Sequence, residues 1–211
     1  MMKILTLTLG PVQTNCYIVA DPETNEAVVI DPSWDGALIA KTAAEHGWQI
    51  KDIWLTHAHF DHIGGIVDLV TALPEEPPVY LHPDDYELWQ AGGGGTSFGI
   101  QIDPGPEPLP LKDGQLLKVG SYIFETRHTP GHRPGHCVFY CAETATLFSG
   151  DLLFQRSVGR TDLPGGNWAD LEHSIRERVY VLPDETDVYS GHGGKTNVWE
   201  EKRGNLFVGA S

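Results

Sequence analysis

Directly after the apolar run Ile53-Trp54-Leu55 the chain reads Thr56-His57-Ala58-His59-Phe60-Asp61-His62. Four side chains able to ligate a metal therefore fall within six positions. Imidazoles and a carboxylate crowded this tightly are unfavourable to fold together unless a divalent cation lies among them. Whatever fold forms must carry this segment to one point in space. Three later segments, Thr129-Pro130-Gly131-His132, Ser149-Gly150-Asp151 and Ser190-Gly191-His192, each set one more ligand-capable residue beside glycine at the end of an expected strand.

Short β-branched and aromatic runs alternate with helical patterns along the chain. Strands are expected at Ile4–Leu9, Cys16–Ala20, Ala27–Ile30 and Ile53–Leu55, then at Tyr122–Thr126, Val138–Cys141, Thr146–Phe148 and Val188-Tyr189. One helix is expected from Asp35 to His46, with Leu38, Ile39, Thr42 and Ala43 on one face and Gly47 as its stop. A second runs from Ile63 to Leu73, ended by Pro74. A third spans Trp168 to about Val179, with Asn167 as its N-cap and Leu171, Ile175 and Val179 as its apolar stripe. From Ala91 to Pro110, the run Gly92–Gly95 and prolines at 104, 106, 108 and 110 leave little scope for regular structure. That section reads either as a loose surface connection or, the reading preferred here, as a loop over the active site that helps choose substrates. No repeat or linker interrupts the 211 residues, a length that suits one α/β domain with a full core.

The formal net charge of −15 repels phosphate backbones, and no run of Lys and Arg offsets it, so nucleic acid is not an expected partner. No stretch approaches the length that spans a bilayer, and the opening residues do not form a targeting signal. Three cysteines cannot build a secreted disulfide framework. On one strand Cys137 and Cys141 would lie ~13 Å apart, too far to bridge. A reducing cytoplasm fits.

The order HxHxDH, then a lone His, an Asp and a His, resembles the metallo-β-lactamase superfamily, and within it the small glyoxalase II-like (hydroxyacylglutathione hydrolase-like) hydrolases. The likeness runs from Leu5-Thr6-Leu7-Thr8-Leu9-Gly10-Pro11 to Glu201-Lys202-Arg203-Gly204-Asn205. Periodicity supports only a single α/β domain; the resemblance implies an αββα sandwich, two mixed β-sheets flanked by helices, over residues 1–211. It implies His57, His59 and His132 on one metal, Asp61, His62 and His192 on a second, and Asp151 bridging both. The nitrogen and oxygen set suits two Zn²⁺ ions, with Fe or Mn also compatible.

The implied chemistry is cleavage of a thioester. Two metals ~3.5–4 Å apart can share a water and generate hydroxide near neutral pH, while one of them polarises the carbonyl. Asp61 and Asp151 are the candidate catalytic carboxylates, Asp61 also orienting the nucleophile. A thiol of pKa about 8.5 leaves without an obligatory general acid, and no Gly-x-Ser-x-Gly elbow offers a serine nucleophile. Asp151, where true β-lactamases carry a Cys ligand, argues against antibiotic hydrolysis as the main task. His136 and His128 are expected to hydrogen-bond a ligand or backbone rather than a metal, and His46, His82 and His173 to serve as surface or capping residues.

The block Ser157-Val158-Gly159-Arg160-Thr161-Asp162-Leu163-Pro164-Gly165-Gly166 is similar to the loop that binds the thiol part of the substrate in the glyoxalase group. Arg160 stands where that group has a basic residue contacting glutathione; an ion pair with Asp162 is the alternative. Two departures touch the substrate. The sequence ends nineteen residues after His192, without the C-terminal helical domain of classical glyoxalase II, and Gly194 replaces a family Tyr. A small 2-hydroxyacyl thioester related to S-2-hydroxyacylglutathione is the expected substrate. The competing classes are a persulfide dioxygenase with one Fe²⁺ on His57, His132 and Asp151, and a non-catalytic metal-binding member of the fold. Oligomeric state is not readable from the sequence.

Overall fold

The computed structural model of the protein describes residues 1–209. It divides into two compact units, the first made of Met1–Leu111 with Lys118–Tyr122, the second of Lys112–Leu117 with the residues from Ile123 onward. The early strands β1 (Lys3–Leu9), β2 (Thr14–Ala20), β3 (Glu26–Ile30), β4 (Gln49–Trp54), β5 (Val79–Leu81) and β6 (Leu109–Pro110) form one six-stranded sheet in that order. β1, β2 and β3 are antiparallel neighbours, and β3 to β6 are parallel. Every residue of β2 is buried, as a strand in the interior of a covered sheet requires. The strands expected from β-branched runs are all present, most of them extended by a residue or two; the one expected at Ile53–Leu55 begins four residues earlier, at Gln49, and ends at Trp54.

The helices of the first unit are α1 (Gly36–Glu45), α2 (Phe60–Ile63), α3 (Ile66–Ala72) and α4 (Tyr86–Gln90). Two expectations are corrected here. The buried face of α1 is Gly36, Ile39, Ala40 and Ala43, whereas Leu38 is 43% exposed. Gly36 sets this phase: a Cβ there would stand 2.1 Å from the Gly65 carbonyl oxygen and 2.2 Å from the Leu69 nitrogen, so its side of the helix must face α3. The helix expected from Ile63 to Leu73 is two helices broken at Gly64-Gly65. A Cβ on Gly64 would lie 2.6 Å from the Trp34 ring, and the Gly65 N–H donates to the Pro32 carbonyl at 2.9 Å. The glycines break the helix because another stretch of backbone takes the space.

Later in the chain come β7 (Leu116–Val119), β8 (Tyr122–His128), β9 (Cys137–Cys141), β10 (Thr146–Gly150), the short pair β11 (Leu153–Phe154) and β12 (Ser157–Val158), α5 (Trp168–Ser174), β13 (Asp187–Ser190), β14 (Thr196–Asn197) and α6 (Val198–Gly204). The second six-stranded sheet has the order β14-β13-β10-β9-β8-β7. It too is mixed, since β10 runs parallel to β13 and antiparallel to β9. α5 starts where Asn167 Oδ1 accepts the Ala169 and Asp170 N–H groups and continues through a wider π turn, Ile175–Val179. Leu171, Ile175 and Val179 are fully buried, as their spacing predicts. α6 went unanticipated; Asn197 caps the helix by accepting the Glu200 N–H at 2.8 Å, and Lys202 pairs with Asp184 at 2.7 Å. Cys16, Cys137 and Cys141 are buried free thiols. Among the described residues no helix is long and apolar enough to cross a membrane.

Candidate metal centre

In the first unit the ligand-capable residues leave the carboxyl ends of parallel strands, the usual place for sites in open α/β sheets. Asp31 follows β3 and Thr56-His57 follows the neighbouring β4. Asp31 is buried and sits in the left-handed region at φ 50, a conformation that persists only where surroundings over-determine it. Its Oδ1 accepts the Thr56 N–H at 2.8 Å, its Oδ2 the Thr56 hydroxyl at 2.7 Å. The same Oδ2 faces His62 Nδ1 at 2.9 Å. Asp85 Oδ2 accepts the Ala58 N–H at 2.9 Å, pinning the loop between His57 and His59. Thr14 Oγ1 donates to Asp61 Oδ2 at 2.8 Å.

These contacts settle where the imidazole protons lie. A carboxylate only accepts, so His62 Nδ1 carries its proton and Nε2 holds the lone pair. The Thr56 hydroxyl has already given its proton to Asp31 and so accepts from His57 Nδ1, 3.0 Å away, which leaves the lone pair on His57 Nε2. That nitrogen lies 3.0 Å from His59 Nδ1, a separation at which both can sit about 2.0–2.1 Å from one ion. His62 Nε2 lies 3.6 Å from Asp61 Oδ2. Four ligand-capable side chains are thus gathered, with buried acceptors behind two of them.

In the second unit the rule repeats. Asp151 follows β10 and His192 follows the parallel β13, with the Gly191 N–H donating to the Gly150 carbonyl at 2.8 Å. A register shift between Phe148 and Gly150 re-aims the chain just before Asp151. The Arg160 carbonyl, which can only accept, takes the His132 Nδ1 proton at 2.7 Å, so His132 also keeps its lone pair on Nε2. Asp151 Oδ2 lies 3.6 Å from His132 Nε2 and 3.5 Å from His192 Nε2, so one carboxylate oxygen faces two imidazoles. His136 is different. Its Nε2 accepts the Asp151 N–H at 3.2 Å and its Nδ1 meets the Thr129 hydroxyl at 2.9 Å; it holds the backbone of Asp151. His128 Nε2 meets the Pro134 carbonyl at 2.7 Å, and His82 Nδ1 accepts the Asp84 N–H.

Arg160 binds Asp162 in bidentate fashion, Nε and Nη2 each at 2.7 Å from a carboxylate oxygen. The guanidinium holds the Asp162 carboxyl down to about 2. A pocket of about 520 Å³ lies against this pair, lined also by Val158, Gly159, Thr161, Trp168 and Phe207. Sequence reasoning missed Asp31, Thr56, Asp85, Thr14 and the Arg160 carbonyl. Asp31 had a signal, an acid ending an apolar strand at Val29-Ile30-Asp31-Pro32; a backbone carbonyl has none.

The glycine run is corrected as well. Gly92–Phe98 forms tight 3₁₀-type turns in which Gly92, Gly93 and Gly95 are buried. At Gly93 (φ 67) a Cβ would stand 2.3 Å from the Phe60 nitrogen and 2.8 Å from the Ala58 carbonyl oxygen. This segment is packed on the backbone of the histidine loop itself.

Each unit thus brings nitrogen and oxygen donors together, His57, His59, Asp61 and His62 in the first and His132, Asp151 and His192 in the second, and such donors fit divalent zinc, iron or manganese. The model of the metallo-β-lactamase superfamily matches residues 9–192. The chain is 34% identical to the hydroxyacylglutathione hydrolase GloC of Haemophilus influenzae over 98% of each chain. Among solved structures it resembles the BLEG-1 B3 metallo-β-lactamase, at 37% identity and a TM-score of 0.90 over 99% of each chain. It also resembles TTHA1623 in a di-iron-bound form, at 42% identity and a TM-score of 0.87 over 96% of this chain and 99% of that one. The two mixed sheets with their helices have the fold expected, and the chain belongs to the metallo-β-lactamase superfamily, whose fold binds divalent metals.

Proposed function

We propose that the protein is a dinuclear metallohydrolase that cleaves a small 2-hydroxyacyl thioester of the S-2-hydroxyacylglutathione type. His57, His59 and His132 would hold one ion, Asp61, His62 and His192 the other, and Asp151 both. The observation that carries this reading is the proton bookkeeping: hydrogen bonds commit Nδ1 of His57, His62 and His132, leaving each Nε2 as a donor to metal. The likeness to GloC supports the thioester. Zinc is the ion proposed; the di-iron form of TTHA1623 keeps iron in the comparison.

Bound divalent ions supply Lewis acidity toward a carbonyl and bring the pKa of water toward neutrality. The chain's own residues do the rest. Asp31 and the Arg160 carbonyl orient His62 and His132, His136 fixes Asp151 through its N–H, and Thr14 orients Asp61. The pocket walled by Trp168, Phe207 and Arg160 receives the part of the substrate remote from the reacting carbonyl. A thiolate departs unaided, which suits a site with no dedicated acid. The buried, unbridged thiols support a reducing cytoplasm as the setting, and we take a small molecule, not nucleic acid or membrane, as the partner.

Metal quantification and a substrate panel on one preparation test this. About two metals per chain and thiol release from S-D-lactoylglutathione or a related thioester are expected. The resemblance to a B3 metallo-β-lactamase makes β-lactam hydrolysis the second reading, so the panel includes a cephalosporin. A metal-replete protein inert toward every thioester defeats the proposal; cleavage of the cephalosporin then selects the second reading. O₂ uptake with glutathione persulfide at one iron per chain selects a dioxygenase on His57, His132 and Asp151.

A further inference from the structure

We infer that α6 is a clamp that positions the ligands of the second unit, and that Glu201 is its positioning residue. The inference rests on reading His132, Asp151 and His192 as metal ligands. Glu201 lies in the middle of α6 with its side chain buried, 1% exposed. A buried carboxylate is retained only where donors satisfy it, and three do. Thr196 Oγ1 reaches Oε1 at 2.7 Å, while the Arg156 N–H and Asn205 Nδ2 both reach Oε2 at 2.8 Å. Asn205 Nδ2 also donates to the Ser157 carbonyl at 2.9 Å.

Arg156 and Ser157 belong to the turn and second strand of the β11–β12 hairpin, in which Leu153 pairs with Val158 and Phe154 with Ser157. That leaves Gln155-Arg156 as a two-residue turn, and Arg156 adopts φ 59, a position that favours glycine or asparagine. Such a residue stays there because its N–H is held, and Glu201 holds it. The hairpin and the residues that flank it reach every ligand of its unit. Asp151 lies two residues before β11. The Phe154 ring stands edge-on to His192, 5.9 Å between centroids. Gly159 follows β12, and a Cβ on it would lie 1.8 Å from the Asp151 carbonyl oxygen and 3.3 Å from His132 Nδ1. Next comes Arg160, whose carbonyl fixes the His132 proton. A carboxylate in the last helix therefore sets the register of a hairpin that three ligands lean on, without touching any of them.

The test compares wild type with Glu201→Ala, Glu201→Gln and Asn205→Ala, using competition with a chromophoric zinc chelator and thermal unfolding of the zinc-loaded protein. Leu182→Ala, a buried position of the same unit outside the hairpin, controls for general destabilisation. Glu201→Ala is expected to weaken zinc retention about 10–100-fold, the range for residues that orient ligands. Asn205→Ala and Glu201→Gln should fall between it and wild type, since each keeps part of the clamp. Leu182→Ala should lower the Tm and leave the chelator curve in place. If Glu201→Ala does not fold, the two milder variants carry the same comparison. Wild-type curves for the clamp variants, or equal zinc loss in Leu182→Ala at matched Tm, overturn the clamp alone. A wild-type protein that takes up no zinc, or an Asp151→Ala variant that keeps it all, overturns the ligand reading and the clamp with it.

Discussion

Asp31 concentrates much of what single residues do here. One carboxylate fixes the Thr56 backbone, the Thr56 hydroxyl and the His62 ring, and through Thr56 it also sets the proton on His57. Asp31→Ala leaves those donors buried and facing nothing, at about 1–3 kcal/mol for each group left unsatisfied. Metal affinity should drop about 10–100-fold, measured by chelator competition, alongside a lowered denaturant midpoint. Unchanged zinc binding in a folded Asp31→Ala protein would refute its role. Arg160 behaves differently. Its guanidinium is an exposed partner of Asp162, so Arg160→Ala should leave the Tm in place. If the side chain grips a remote part of the substrate, KM rises more than kcat falls. Equal loss in both, or in neither, would remove it from the substrate site. The Arg160 carbonyl that meets His132 survives the substitution, which is why metal content should not change.

At the scale of elements, glycine placement explains both the successes and the failures of sequence reading. Strand runs were legible as continuous β-branched and aromatic stretches, which covered strands bury on both faces, and Leu171, Ile175 and Val179 as an apolar stripe of four-residue period. The break between α2 and α3 and the buried glycine turns were not, because their cause lies in distant chain. Gly64 yields to Trp34, and Gly93 to the backbone of Ala58 and Phe60. Ligand-capable residues were legible in the HxHxDH spacing, while the acceptors behind the histidines, Asp31 and the Arg160 carbonyl, meet them only through the fold. For Gly92–Gly95, within the Ala91–Pro110 section expected to be a loop over the site, the packing leads to a prediction about support. Gly93→Ala must relieve an overlap with backbone that cannot swing aside, and φ 67 adds strain. It should destabilise by roughly 1–3 kcal/mol, as overpacking does, and weaken zinc retention. Gly94→Ala, where the nearest atom to a new Cβ is a Leu88 methyl at 3.6 Å, carries backbone strain at φ 76 without the overlap and should retain more zinc. Equal zinc retention in the two would return the segment to the role of a surface loop.

For the whole molecule, the proposed ligands span the sequence from His57 to His192, so metal binding and folding are linked. Anything that binds the folded chain and not the unfolded one stabilises it by RT ln(1 + [L]/Kd), about 2.7 kcal/mol at a hundredfold excess over Kd. For a chain of this size each kcal/mol moves the Tm by about 2–4 °C. Stripping the metal should thus lower the Tm by about 5–10 °C, and adding back zinc should restore it in a concentration-dependent way. Ligand protonation sharpens the test. The lone pairs on His57, His62 and His132 must stay unprotonated to bind metal, so the stabilisation from added zinc should shrink as the pH is lowered. Asp151→Ala should lose most of the zinc-dependent shift, because its Oδ2 faces both His132 and His192. A Tm indifferent to chelator and to added zinc at neutral pH would show that the histidine and aspartate segments do not bind the ion, and the dinuclear reading would fall with that result.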